Sequence, residues 1–130
     1  MSYAASTILA AKFASKNNMS PAVAWQQAVK QEFPNSLNNQ QKCCPKNTFL
    51  GLCEEGIVKG ISAGDYTRSD LNKQYGVVAL KILSSNKPMT VTPTTLWKEV
   101  LKELNVDPEK QHNHQMNVVL ALWIEGLIKI

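Results

Sequence analysis

The segment NVVLALWIEGLIK, residues 117–129, repeats the segment NTFLGLCEEGIVK, residues 47–59, at an offset of 70 residues. The identical pairs are Asn47/Asn117, Leu50/Leu120, Leu52/Leu122, Glu55/Glu125, Gly56/Gly126 and Lys59/Lys129. Upstream, SPAVAWQQAVK (20–30) aligns with TPTTLWKEVLK (92–102) at an offset of 72 and places Trp25 on Trp97. Two blocks in the same order indicate an internal duplication, with pseudo-repeats of about 3–61 and 75–130.

Each repeat is predicted to contain three helices. The first helices span about 3–16 and 69–84, where apolar residues recur at helical spacing. The second helices open with Ser20-Pro21 and Thr92-Pro93, which is a hydroxyl N-cap followed by proline at the first helical position. The third helices contain the repeated phrase. We therefore predict an all-α, six-helix single domain with pseudo-twofold symmetry.

The two glycines of the phrase allow two interpretations. If Gly56 and Gly126 end their helices, a short strand follows and each repeat resembles a winged helix-turn-helix. If the helix continues, apolar residues recur at helical spacing from Phe49 past Gly56 in the first copy. The same spacing extends to Ile130 in the second copy. Glu55 and Glu125 then form i, i+4 pairs with Lys59 and Lys129. The periodicity favours the continuous helix, with the glycines permitting two third helices to cross closely.

Two stretches carry a family resemblance. CPKNTFLGLCEEGIVKGI (44–61) and NHQMNVVLALWIEGLIK (113–129) resemble signature stretches of a family of small, uncharacterised bacterial proteins. The resemblance covers most of the chain and implies one domain of this length. It implies no activity, cofactor or partner.

Charge and cysteine content indicate a cytoplasmic protein that does not enter membranes. The net charge of +4 is shared evenly between the two halves, and Arg68 is the lone arginine among 14 basic residues. Three cysteines are a poor disulfide framework. The apolar N-terminal stretch is interrupted by Lys12, which favours a helix over a signal peptide. No apolar run approaches the roughly 20 residues that span a bilayer.

Sequence motifs give no support for an enzyme. The chain contains no GxxxxGK[ST], GxGxxG, HExxH or GxSxG motif. We predict no cofactor. Trp25 and Trp97 are expected in the core, because tryptophan on the apolar face of a short helix is usually buried. For Glu55 and Glu125, the simple lysine pairs are favoured over a paired-carboxylate acid/base site.

Nucleic-acid binding is suggested by polar residues that precede the third helices. The candidates are Lys42, Lys46 and Asn47 in one copy, and Lys110, His112, Asn113, His114 and Gln115 in the other. Lysine neutralises phosphate, and asparagine and glutamine read base edges. The low basic density and the neighbouring glutamates argue against it.

A thiol or metal role is the third hypothesis. Cys44 precedes Pro45 at a predicted helix start, where the helix dipole stabilises a thiolate, and His112 or His114 would act as its base. Cys43 and Cys44 with both histidines are weak metal candidates, because CC and HNH lack the spacings of structural zinc sites.

The favoured function is a non-enzymatic interaction or regulatory module, whose partner is another protein or a second copy. The alternative is a helix-turn-helix-like DNA-binding protein.

Overall fold

The chain is all-helical in the computed structural model, which describes residues 2–85 and 90–129. The helices are α1 (Tyr3–Lys16), α2 (Pro21–Glu32), α3 (Leu37–Gln40), α4 (Cys43–Glu54), α5 (Asp70–Ser84), α6 (Pro93–Glu103) and α7 (Gln115–Ile124). Because α3 is a single turn, six longer helices correspond to the six predicted, and the all-α class is confirmed. None of the helices in the described ranges is long and apolar enough to cross a membrane.

The second helix of each repeat begins as the sequence predicts. The Ser20 hydroxyl accepts a hydrogen bond from the Val23 amide at 3.3 Å, and the Thr92 hydroxyl accepts one from the Thr95 amide at 3.1 Å. A proline follows each cap at the start of the helix. These bonds satisfy amides that have no partner inside the helix, and so fix where α2 and α6 start.

The prediction that the third helices continue through glycine is wrong. Gly56 and Gly126 have φ of +72° and +70°, so each ends its helix in the left-handed conformation that favours glycine. Glu55 and Lys59 therefore do not face each other on a helix surface, and Glu55 pairs instead with Lys73 at 3.2 Å. The last position of the predicted stripe, Ile130, lies outside the described residues.

The two segments that follow the glycines pair with each other. The Lys59 amide donates to the Leu127 carbonyl and the Lys129 amide donates to the Ile57 carbonyl, both at 2.8 Å. The bonds form an isolated antiparallel bridge around Val58 and Ile128, and within the described residues no longer strand is formed. At an offset of 70 each bond is the counterpart of the other. A duplication would produce this reciprocity, and the duplication remains a sequence-based hypothesis.

The aromatic residues of the two repeats lie at comparable places in the core. Trp25 lies parallel to Tyr3, with ring centroids 6.5 Å apart, and Trp97 meets Tyr75 edge-on at 4.8 Å. Both tryptophans are buried. Helix α1 packs against α2 and α7, while α5 packs against α4, α6 and α7. A Cβ on Gly51 would lie 2.6 Å from the Lys73 Cβ, so glycine is what allows α4 and α5 to approach closely.

Replacing Gly126 with alanine tests the helix end. We expect the free energy of unfolding to fall by about 1 kcal/mol, because the left-handed conformation is costly for a residue with a Cβ. A Cβ at Gly126 meets nothing within 4 Å, so the effect isolates backbone strain. Urea denaturation measures it, with Gly126→Asn as the milder control. A continuous helix would instead be stabilised by about 1 kcal/mol on the same change.

Candidate functional site

The starts of α4 and α7 lie close together. The charge of Lys110, just before α7, acts on Cys44 in the first turn of α4. The charges of Lys42 and His112 act on His114, which precedes α7 with φ of +69°. The candidate residues of the two copies therefore form one group, which we call the helix-start cluster (residues 42–47 and 110–115).

Several of the nucleic-acid-binding candidates make hydrogen bonds within the fold. The Lys110 ammonium donates to the Tyr75 hydroxyl. Gln115 is buried, and its side-chain amide donates to the Asn72 oxygen at 3.2 Å and accepts from the Asn113 backbone amide. The Asn47 side-chain oxygen accepts a hydrogen bond from the Thr67 hydroxyl at 2.9 Å.

The remaining candidates differ in exposure. Asn113 is exposed, whereas Lys42 and Lys46 are half-buried.

The two histidines pack against aromatic rings. The His112 ring lies 6.0 Å from Trp97, and its buried Nδ1 has no hydrogen-bond partner within the described residues. The His114 ring lies 4.7 Å from Tyr3. Burial, followed by the charges of Lys42 and His112, lowers the pKa of His114. His114 is therefore mostly neutral at pH 7 and adds little positive charge to the cluster.

The Cys44 thiol does not match an activated nucleophile. Burial, then the neighbouring Cys43, raises the pKa of Cys44, and the opposing effects of Asn72 and Lys110 are smaller. The thiol is thus held protonated, in contrast to the thiolate that the helix start predicts. Across residues 2–85 and 90–129, no three histidine, cysteine or acidic side chains are grouped as metal ligands. In this part of the chain, the candidates Cys43, Cys44, His112 and His114 therefore do not come together as a group of three or more metal ligands.

Glu54 is an important residue that the sequence analysis missed. Its carboxylate accepts hydrogen bonds from the backbone amides of Tyr66 at 2.8 Å and Thr67 at 3.1 Å. It also pairs with the Lys73 ammonium at 2.7 Å. The Lys73 hydrogen bond, followed by the two amides, lowers the pKa of Glu54 to about 2. Glu54 thereby holds the extended segment 61–67 against the end of α4. The sequence did contain a signal for this residue, because the repeat aligns Glu54 with Ile124.

A groove lies between α1, α7 and the start of α6, and we call it the α1–α7 groove. Its volume is about 380 Å³. It is lined by Ala4, Ile8, Val91, Pro93, Asn117, Leu120, Ala121, Ile124 and Glu125. Ile124 is 74% exposed at the end of α7. A larger cleft of about 520 Å³ at the end of α6 is lined by charges of both signs, including Lys98, Lys102 and Glu109. The α1–α7 groove is therefore the more apolar surface.

Comparison with known protein families adds one finding. The model of a family of unknown function, DUF6979, matches residues 1–129. The chain belongs to DUF6979. This confirms the resemblance to an uncharacterised family, although the match does not address bacterial origin. No curated protein and no solved structure matches the chain. DUF6979 is a family of unknown function, so membership assigns no activity, ligand or partner to the chain.

Proposed function

We propose that the protein is a non-enzymatic helical interaction module that binds a protein partner at the α1–α7 groove. The observation that carries the proposal is Ile124, which is 74% exposed beside an apolar depression. Burying apolar surface contributes about 25 cal/mol per Å², so a partner that covers this side chain gains affinity. Exposed apolar patches on folded proteins commonly mark binding surfaces.

The helices that line the groove are firmly held. Met116, Val118 and Leu122 of α7 are fully buried, so the helix that carries Ile124 is anchored in the core. Helix α1 packs along both α2 and α7. A preformed groove loses little conformational freedom on binding, which favours affinity. This rigidity supports a role in recognition.

We further propose a reducing, cytoplasmic location. The support is the cysteine content, because Cys43, Cys44 and Cys53 are all free. Free thiols, one of them exposed, are typical of reducing compartments.

Replacing Ile124 with lysine tests the groove. The substitution puts a charge where a partner would bury an apolar side chain, so retention of groove-dependent partners should fall about tenfold or more. Immobilised wild-type protein and the variant are compared by quantitative cross-linking capture from cell extract. Leu71→Lys is the matched control, because Leu71 is 48% exposed on α5 and does not line the groove. Thermal unfolding should be nearly unchanged, since exposed positions rarely affect stability.

The expected result is a set of proteins that is retained by the wild type and by Leu71→Lys but lost by Ile124→Lys. If Ile124→Lys retains the same proteins as the wild type, the groove is not the binding surface.

DNA binding through the helix-start cluster is the second candidate. It is supported by the sequence pI of about 9.0 and by the joint placement of Lys42, Lys46 and Asn113 at two helix starts. It is weakened by Lys110 and Gln115, whose side chains are bonded to Tyr75 and Asn72. Few side chains are therefore left to contact bases or phosphates, and we place this function below the first.

A duplex-binding titration separates the two candidates. Phosphate contacts are strong at ~50 mM salt, so a DNA-binding protein should bind a labelled duplex there and weaken as salt rises. We expect no saturable binding by fluorescence anisotropy. Saturable, salt-dependent binding that is reduced in Lys42→Glu/Lys46→Glu would promote the DNA function above the interaction module.

A further inference from the structure

The α1–α7 groove continues into a basic pocket. Ile8 and Glu125 line both depressions, and the second has a volume of about 160 Å³. Lys12 and Lys16 line this pocket one helical turn apart on α1, and Lys59 lines it from the bridge segment. Three lysines and one acidic residue, Glu125, therefore line this pocket. The apolar groove and the basic pocket form one continuous surface.

The corresponding surface on the other side of the molecule shows how such a groove is covered. The offset of 70 pairs Asn47 with Asn117 and Glu54 with Ile124. On α4, the extended segment 61–67 occupies this place, where Asn47 accepts a bond from the Thr67 hydroxyl and Glu54 accepts two backbone amides. On α7, the corresponding residues Asn117 and Ile124 line the α1–α7 groove. An extended segment therefore fits the place that the groove offers.

The differences between the two sides define the chemistry of the occupant. Ile124 cannot accept hydrogen bonds from backbone amides as Glu54 does. A segment that binds in the groove therefore needs an apolar side chain to pack against Ile124. The pocket of Lys12, Lys16 and Lys59 calls for negative charge. From Ala4 to Lys12, α1 rises about 12 Å at 1.5 Å per residue. An extended chain covers that length in about four residues.

Resting on the proposed function, we propose that the α1–α7 groove binds an extended segment of a partner protein that combines apolar and acidic residues. The apolar residues pack against Ile8 and Ile124. The acidic residues lie about four positions away and contact Lys12, Lys16 and Lys59. Glu125 and the carbonyl end of α1 offset part of the positive charge, so each lysine contributes modestly, about threefold in affinity for an exposed ion pair.

A displayed library of random 12-residue peptides tests the proposal. The library is selected on immobilised wild-type protein and counter-selected on Ile124→Lys. We expect the enriched peptides to carry Asp or Glu about four positions from apolar residues. One enriched peptide is then synthesised, together with a matched peptide in which every acid is replaced by lysine, and both are titrated by fluorescence anisotropy.

Charge reversal provides the decisive comparison. The triple variant Lys12→Glu/Lys16→Glu/Lys59→Glu should lower the affinity for the acidic peptide about tenfold or more. It should raise the affinity for the lysine peptide. The matched control is Lys81→Glu/Lys98→Glu/Lys102→Glu, which changes the net charge equally at exposed positions outside the basic pocket. This control should still bind the acidic peptide more tightly than the lysine peptide.

Three outcomes would overturn the proposal. Enriched peptides without an acidic bias that still require Ile124 would refute the charge recognition while leaving the groove as a binding surface. A concentration-dependent dimer that Ile124→Lys abolishes would make the occupant a second copy. A library in which nothing distinguishes the wild type from Ile124→Lys would refute the peptide segment, whereas proteins captured through Ile124 would still support the interaction module.

Discussion

Two reciprocal hydrogen bonds, from the Lys59 amide to the Leu127 carbonyl and from the Lys129 amide to the Ile57 carbonyl, connect the two halves of the chain. Each bond requires the preceding helix to end in a left-handed glycine, which turns the chain so that the following residues face the core or the partner segment. The same bridge segment lies against α1, because a Cβ on Gly60 would lie 2.7 Å from the Ser15 Cβ. The bridge therefore places Lys59 beside α1, and the basic pocket depends on it.

The ends of α4 and α7 carry different residues at the aligned positions Glu54 and Ile124. Glu54 accepts two backbone amides of segment 61–67 and pairs with Lys73 of α5, and the segment covers the end of α4. Ile124, aligned with Glu54, has no carboxylate to hold a segment in this way. The result is an exposed apolar side chain and an open groove on a helix that is mostly buried. The two aligned helix ends thus present different surfaces.

The sequence predicted local features well and features that depend on distant segments poorly. The hydroxyl-proline starts of α2 and α6 were predictable because their bonds are local. The helix end at Gly56 was not, because Ile57 and Ile61 continue the apolar spacing of the helix before them. Ile128, which pairs with Val58 across the bridge, lies 70 residues away. The hydrogen bonds of Lys110 and Gln115 within the fold were also not predictable, because their partners Tyr75 and Asn72 lie on α5. The exposure of Ile124 was hidden because α7 is apolar almost throughout.

Native-state hydrogen exchange of the backbone amides tests the bridge most directly. If the two halves are joined by the reciprocal bonds, the Lys59 and Lys129 amides are protected to the same extent, because one opening event breaks both bonds. The amide of exposed Ser62, in the loop after the bridge, serves as the reference for free exchange. Equal protection of Lys59 and Lys129 well above Ser62 is the predicted result. Exchange of either amide as fast as that of Ser62 would contradict the account.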